Sequence, residues 1–539
     1  MIPDDPAAVS KPEESPIERS ISDARAPAQR RPLWLAVIVS AALATAAFPP
    51  LGLGWLAWVA YAPLFWAVVR ARGPRGAFGL AYLFGILHFG ALTPWIGATV
   101  ANWSGSSVGW AAWVGLALIQ GLWFGLFGSL AWYVHRGLRG DSRLLATAGA
   151  WIVVEWLRGQ GGLSMPWGLT GYTQYRSIAN IQIADLTGVY GVSFLVALAG
   201  SALAAAFQRP DSAAPQTPAR RSAIRLRGLT VDVGVLVLPC LFYAGALTYG
   251  LLCSGLPWQG RPVVAAVVQP NLPSIGAPTP RTEVMSRLAA AAQELAKAAP
   301  SLVVWPESAA PDDAVNDLDV NALFTHFAKL TSGYHLTGTR YRGEAGNERN
   351  SAALFAPNLG LVSRYDKERL VPFGEWIPAR RLLAPIISAM RPPDDDLVPG
   401  RGQKPLEAGE MRLGVLICYE SIFPAMTRDR VRKGADLLVS ITNDGWAGES
   451  ASPEQHFAMT VFRAVESRRF ICVAGLTGVS ALVAPNGSAG RAAPYRPALV
   501  SDLVYLRTGL TPYARWGDWF VVLAAALVLL AARRALSAS

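Results

Sequence analysis

Apolar residues change their spacing twice along this chain. Up to about residue 252 they come in long runs, at 33–49, 51–69, 76–97, 107–134, 143–158, 184–207 and 229–252, and a further run lies near 516–532. Each approaches the roughly 20 residues that a helix needs to cross a bilayer. Between about 255 and 510 the runs shorten. Stretches at 263–268, 302–305, 352–355, 361–365, 413–417, 437–441 and 471–474 read as strands. Stretches at 283–299, 320–330, 425–433 and 455–468 read as amphipathic helices. Strands set between helices predict a layered α/β fold, and the length suits one domain with its own core. The expected organisation is a disordered cytoplasmic tail at 1–32, a transmembrane domain of seven helices at 33–254, an α/β domain at 255–510, and a last helix with its cytoplasmic end at 511–539.

Composition supports the membrane reading. Charged residues are 16%, apolar residues 52%, and there are 19 Trp, a balance foreign to soluble enzymes. The net charge of +11 would suit nucleic acid only if the basic residues shared one aromatic-studded face. They cluster between the apolar runs instead, so no nucleic-acid partner is expected. Arg70, Arg72 and Arg75 follow the second run, and Arg136, Arg139 and Arg143 the fourth. Arg209, Arg220, Arg221, Arg225 and Arg227 follow the sixth, and Arg533 and Arg534 the last. The alternate loop 98–106 carries no charge. Basic loops stay in the cytoplasm. Seven crossings from a cytoplasmic N-terminus then place 255–510 outside it. Within the fifth run, Glu155 and Arg158 either cap the helix at the interface or form an intramembrane pair.

The candidate chemistry sits at strand ends. The run 413–417 ends at Cys418, followed by Tyr419 and Glu420. A thiolate is well suited to attack an acyl carbon, although a lone Cys after an apolar strand also reads as a small buried hydrophobe. Glu307 follows 302–304 through Trp305 and Pro306, and Pro306 has no N–H for a ladder. Lys367 follows 361–363 through Tyr365 and Asp366. Alone, Glu307 reads as a turn residue and Lys367 as a solvated charge. Together they supply a base, a cation and a nucleophile. The base takes the thiol proton, and the cation lowers the thiol pKa and steadies an oxyanion. The four cysteines, Cys240, Cys253, Cys418 and Cys472, show no metal spacing. The Pro-rich stretch 391–401, with Asp394, Asp395 and Asp396, reads as a long exposed loop.

Trp305-Pro306-Glu307, Tyr365-Asp366-Lys367 and Cys418-Tyr419-Glu420, in this order, resemble the Glu-Lys-Cys triad of the nitrilase (carbon–nitrogen hydrolase) superfamily. With the apolar runs around them they look like the membrane-embedded apolipoprotein N-acyltransferase family. Leu370 to Glu375 resembles that family's segment after the Lys. Asn443-Asp444-Gly445-Trp446, with Gln455, His456, Arg463 and Glu466, resembles the segment after the Cys. The resemblance implies an αββα sandwich on about eight membrane spans, in the bacterial inner membrane, with the catalytic domain on the periplasmic side. It implies a ping-pong reaction. Cys418 takes an acyl chain from a membrane phospholipid and passes it to the α-amine of an apolipoprotein's diacylglyceryl-cysteine. Glu307 is the implied base and Lys367 the oxyanion partner, with Glu375, Tyr419 and Glu420 in support. No cofactor or metal is implied. The segment 274–280, Ala447 and Leu476-Thr477 depart from the family pattern. A membrane-anchored amidase using the same triad with water is the main rival. Transporter and inactive-scaffold readings leave either the α/β domain or the intact triad unexplained.

Overall fold

The computed structural model describes residues 33–207, 223–226, 229–272, 279–343, 346–388 and 395–537. The tail 1–32, Arg209, Arg220, Arg221, Arg227 and the segment 274–278 lie outside them. Each long apolar run of the described chain is helical. Leu33–Ala46, Ala62–Val69, Pro74–Leu92, Val108–Gly137, Asp141–Arg158, Val189–Ala206 and Val237–Ser254 make up the first half, and Trp519–Ser537 the end. Pro74–Leu92, Val108–Gly137, Val189–Ala206, Val233–Ser254 and Trp519–Ser537 are long and apolar enough to cross a membrane. Asp141–Arg158 is as long as Val189–Ala206 but carries Asp141, Arg143, Glu155 and Arg158. On Val237–Ser254 only Pro239 and Gly250 are buried, which leaves Leu241, Phe242, Leu251 and Leu252 on the outside. An apolar face of that size suits lipid. Small residues bring the helices together: a Cβ on Gly128 would sit 2.4 Å from the Ala77 carbonyl oxygen, so only glycine allows this approach.

The third run departs from expectation. Its helix stops at Leu92, and Pro94 begins a separate helix, Pro94–Ser104. Proline lacks the N–H that would continue the helix and its ring clashes with the preceding turn. The break turns Trp95 toward the α/β domain.

Two short strands, β1 (Ala223–Leu226) and β2 (Leu229–Asp232), form an antiparallel hairpin. The α/β domain follows with β3 (Arg261–Gln269), β4 (Leu302–Val304), β5 (Tyr334–Arg342), β6 (Glu348–Ala356), β7 (Gly360–Asp366), β8 (Leu406–Ala408), β9 (Met411–Ile417), β10 (Leu437–Thr442), β11 (Ile471–Gly475), β12 (Ala481–Val483), β13 (Ala489–Arg491) and β14 (Ala498–Leu506). One sheet runs β14-β3-β4-β5-β6-β7 and the other β13-β12-β11-β10-β9-β8. The parallel pairs β3-β4, β4-β5, β9-β10 and β10-β11 need crossovers. Helices Arg281–Ala296, Leu318–Thr331, Pro424–Arg432 and Ser452–Ser467 supply them. The sheets meet through Val267, Leu302, Leu413, Val415 and Val439. The first two helices cover one outer face. The other two cover the opposite face, giving four layers.

That second helical layer is continuous with the membrane half. Phe462 and Val465 of Ser452–Ser467 share one apolar cluster with Phe48, Tyr172 and Val189. Polar links reinforce it. The Gln455 side-chain oxygen accepts from the indoles of Trp167 at 2.7 Å and Trp95 at 3.2 Å. Its amide donates to the carbonyls of Pro49 at 3.0 Å and Leu92 at 3.1 Å. One buried side chain thus satisfies four groups of the membrane half. Glu466 accepts from the Val189 N–H at 2.9 Å, and Arg468 pairs with Asp185 at 2.8 Å.

Strand β5 had no strong signal in the sequence. Its buried positions include His335, Thr337 and Thr339, so polar residues stand where the apolar period should show. The stretch 397–400, expected as part of an exposed loop, is docked. The N–H groups of Leu397, Val398 and Gly400 donate to the carbonyls of Glu375, Glu348 and Lys367 at 2.8–2.9 Å.

Gln455→Leu leaves two indole N–H groups and two carbonyls buried without partners, each costing about 1–3 kcal/mol. The expected result is a clearly lower melting temperature of the detergent-solubilised chain. An unchanged melting temperature would refute this role for Gln455.

Candidate active site

Strand β7 lies two antiparallel steps from β5, which is itself parallel to β4. β4 and β7 therefore point the same way, and their ends present Glu307 and Lys367 on one side of the sheet. Glu307 is fixed from several directions. Trp305, two residues before it, is wholly buried and donates its indole N–H to His335 at 2.9 Å. Gly338 on β5 admits the Glu307 backbone, since a Cβ there would lie 2.5 Å from the Glu307 Cα. The Glu307 carboxylate accepts from the Asn350 amide at 2.7 Å and from the Asn443 backbone N–H at 2.8 Å. Asn443 follows β10, so Glu307 bridges the two sheets.

Lys367 is 1% exposed and stands between two carboxylates. Its Nζ lies 2.9 Å from Glu375 and 3.4 Å from Glu307. Burial alone would lower its pKa, but Glu375, Glu307 and the Cys418 sulfur together raise it. Glu375 also accepts from Asn350 at 2.8 Å and from the Val371 N–H at 2.8 Å. Against burial, Lys367 and these donors hold the Glu375 carboxyl below the ordinary range. The structure thus joins Glu307, Lys367 and Glu375 in one network around Asn350. Asn350 lies on β6 and had no signal in the sequence, because nothing in its neighbours distinguishes it from any polar strand residue.

Cys418 follows β9 directly, with φ at +50°. A non-glycine residue in this left-handed region is strained and persists only where its surroundings fix it. Glu420 supplies much of that fixing. Its carboxylate is fully buried and accepts from the N–H groups of Ile417 at 2.7 Å, Glu368 at 2.7 Å and Arg369 at 3.1 Å, and from the Tyr365 hydroxyl at 2.8 Å. It therefore ties the residue before the nucleophile to the residues after Lys367. Arg430 completes the knot, donating to Tyr365 at 2.6 Å and to Glu368 at 2.5 Å. Tyr419 points the other way: its hydroxyl donates to the Ser164 carbonyl at 2.6 Å. Ser164 belongs to the loop after helix Asp141–Arg158, so the residue beside the thiol is anchored on the membrane half.

The electrostatics correct one expectation. Lys367 does pull the thiol pKa down, but burial pushes it up and so do Glu307 and Asp444. The net result is a Cys418 thiol well above its ordinary value. Cys418 is 6% exposed, and at neutral pH it rests as a thiol.

Two sequence families match the chain in succession. The apolipoprotein N-acyltransferase N-terminal domain matches residues 40–202, and carbon–nitrogen hydrolase matches residues 264–498. The chain is 34% identical over 507 residues to apolipoprotein N-acyltransferase of Geobacter metallireducens, covering 92% of this chain and 94% of that protein. It is 32% identical over 538 residues to apolipoprotein N-acyltransferase of Gloeobacter violaceus, covering 94% and 95%. Among solved structures, an amidase from Nesterenkonia is similar over 50% of this chain and 98% of that one, with 20% identity and a TM-score of 0.36.

The raised thiol pKa predicts a specific alkylation profile. Iodoacetamide labelling of Cys418, read by peptide mass spectrometry, should keep accelerating past about pH 9, where free cysteine levels off. A plateau near neutral pH would show a standing thiolate and contradict the assigned electrostatics.

Proposed function

The chain belongs to the apolipoprotein N-acyltransferase family and is an N-acyltransferase built on a carbon–nitrogen hydrolase domain, and on that premise we propose how Glu307, Lys367 and Cys418 carry out its reaction. The acyl donor is a membrane phospholipid. As the Cys418 sulfur attacks the ester carbonyl, Glu307 takes the thiol proton. The negative charge that develops on the carbonyl oxygen is met by the Lys367 ammonium. Collapse of the tetrahedral intermediate breaks the ester C–O bond. The lysophospholipid oxygen takes the proton from Glu307 and leaves, and the acyl chain remains on Cys418 as a thioester.

The acceptor is the α-amine of an apolipoprotein's N-terminal diacylglyceryl-cysteine. It attacks the thioester carbonyl and loses a proton to Glu307. The C–S bond breaks, the proton returns to sulfur, and an amide is formed. The site ends in its starting state, and the reaction as written asks for no cofactor. Glu375 and Asn350 keep Lys367 and Glu307 in register, while Glu420 and Tyr419 hold the strand end that carries Cys418. Both substrates keep their chains in the bilayer, so the catalytic domain rests on the outer face of the bacterial inner membrane, and about eight spans anchor it there. The observation that carries this reading is the convergence of Glu307, Lys367 and Cys418 in a buried site whose outer helical layer shares a core with the apolar helices.

Intact mass of the purified chain after incubation with phospholipid vesicles tests it. Wild type should gain one fatty-acyl mass that hydroxylamine removes, and Cys418→Ala should gain none. A folded wild type that gains no acyl mass would sink the phospholipid-donor mechanism and favour amide hydrolysis by the same triad.

A further inference from the structure

Behind the nucleophile lies a buried polar chain that the mechanism above does not use. The Ser421 hydroxyl lies 2.9 Å from the Cys418 carbonyl oxygen and 2.6 Å from His456 Nε2. His456 Nδ1 lies 3.0 Å from Asp444 Oδ1, which also accepts from the Thr442 hydroxyl at 3.2 Å. Ser421, His456 and Asp444 are all buried. The three come from separate elements: the turn Cys418–Ile422, helix Ser452–Ser467 and the turn Asp444–Ala447.

Counting protons gives the one state of the ring in which every contact of the chain is a hydrogen bond. A carbonyl oxygen can only accept, so the one Ser421 proton goes to Cys418. His456 Nε2 must then carry a proton to bond the Ser421 oxygen. Nδ1 faces a carboxylate oxygen, which also accepts, so it must carry one too. An imidazole with both nitrogens protonated is a cation. The alternative, a neutral ring accepting the Ser421 proton at Nε2, would leave the 2.9 Å approach of Ser421 to the Cys418 carbonyl without a proton. Burial alone would deprotonate the ring, but the Asp444 carboxylate outweighs it and holds the His456 pKa above its ordinary value.

We propose that His456 stands as an imidazolium beneath the nucleophile and is a positioning residue, fixing the Cys418 carbonyl through Ser421 and favouring negative charge on the Cys418 sulfur. The titratable groups facing it are Asp444 and Glu307, with Lys367 next to Glu307, and the Cys418 backbone lies beside it; the Trp167 ring, 6.0 Å from the imidazole, closes the membrane side. On its own helix, Glu454 is engaged by Arg491, and Arg463 by Glu466. The strained Cys418 backbone gains a fixed partner for its carbonyl. The site gains a second cation to set beside Lys367. The kinetic part of this inference rests on the acyl-transfer reading, but the protonation state does not.

Two measurements test it. The first labels the histidine ring nitrogens of the full detergent-solubilised chain with 15N and uses His456→Gln to assign the signals. Both His456 nitrogens should be protonated at about pH 7, and a bare nitrogen on either side would overturn the inference. The second follows acyl-enzyme formation. His456→Gln, which removes the charge, should slow it about 10- to 100-fold, whereas Ser421→Ala, which removes one neutral hydrogen bond, should slow it about 10-fold at most. Asp444→Asn removes the counter-ion, so the ring should lose its proton near neutral pH. With burial unopposed the ring should stay neutral, and the rate should fall to about that of His456→Gln. Equal losses in the Gln and Ala variants, with Asp444→Asn keeping the wild-type rate, would mean packing alone and would overturn the role of charge. Wild type that forms no acyl-enzyme overturns the acyl-transfer reading and leaves the nitrogen signals to decide this one.

Discussion

The site depends on one buried cation. Lys367 is enclosed by protein, and an ammonium taken out of water is tolerated only where opposite charge and hydrogen bonds meet it. Glu375 at 2.9 Å and Glu307 at 3.4 Å do so, and Asn350 binds both carboxylates at once. The cluster thus carries two negative charges and one positive. Adding a thiolate would leave it with a further uncompensated negative charge. Burial and the Glu307 carboxylate keep the Cys418 proton in place for that reason. The charge balance that stabilises the cluster also favours the protonated state of Cys418.

The second dependence is on helix Ser452–Ser467, which serves both halves of the molecule. Its apolar face, with Phe462 and Val465, is part of the membrane core. Gln455 closes four polar groups of that half, and its neighbour His456 closes the chain behind Cys418. Adjacent helix positions point about 100° apart, so one residue can face the bundle while the next faces the nucleophile. Tyr419, anchored on Ser164, makes the same connection from the other side of the thiol. The strand end that carries Cys418 is therefore tied to the apolar helices from both sides.

Much of this was legible in the sequence, and the reasons differ by element. The apolar runs were plain because lipid leaves a helix no substitute for long hydrophobic stretches. Cys418, Glu307 and Lys367 were visible because each follows a short apolar strand. Strand β5 was obscure because His335, Thr337 and Thr339 are buried polar residues, and His335 and Thr339 find their partners, such as Trp305 and Ala314, far along the chain. Asn350 was silent for a similar reason: its importance lies in two carboxylates that approach it only in the folded chain. The direction of the thiol pKa was misread because one neighbour, Lys367, was weighed without burial. The field at a buried sulfur is a sum over groups that the sequence does not place.

The raised thiol pKa has a further meaning for a transferase. A thioester passed to an amine must outlast attack by water, and exclusion of water requires an enclosed site. Enclosure removes the solvation that a free thiolate needs, so it also raises the thiol pKa. A standing thiolate and a water-excluding pocket are thus opposed demands. On the proposed reaction, Glu307 and Lys367 resolve the conflict by acting at the moment of attack. The base accepts the proton, and the ammonium meets the charge as it moves from sulfur to the carbonyl oxygen. The carboxylate–ammonium pair is already assembled before the substrate arrives, so little reorganisation is left for the chemical step.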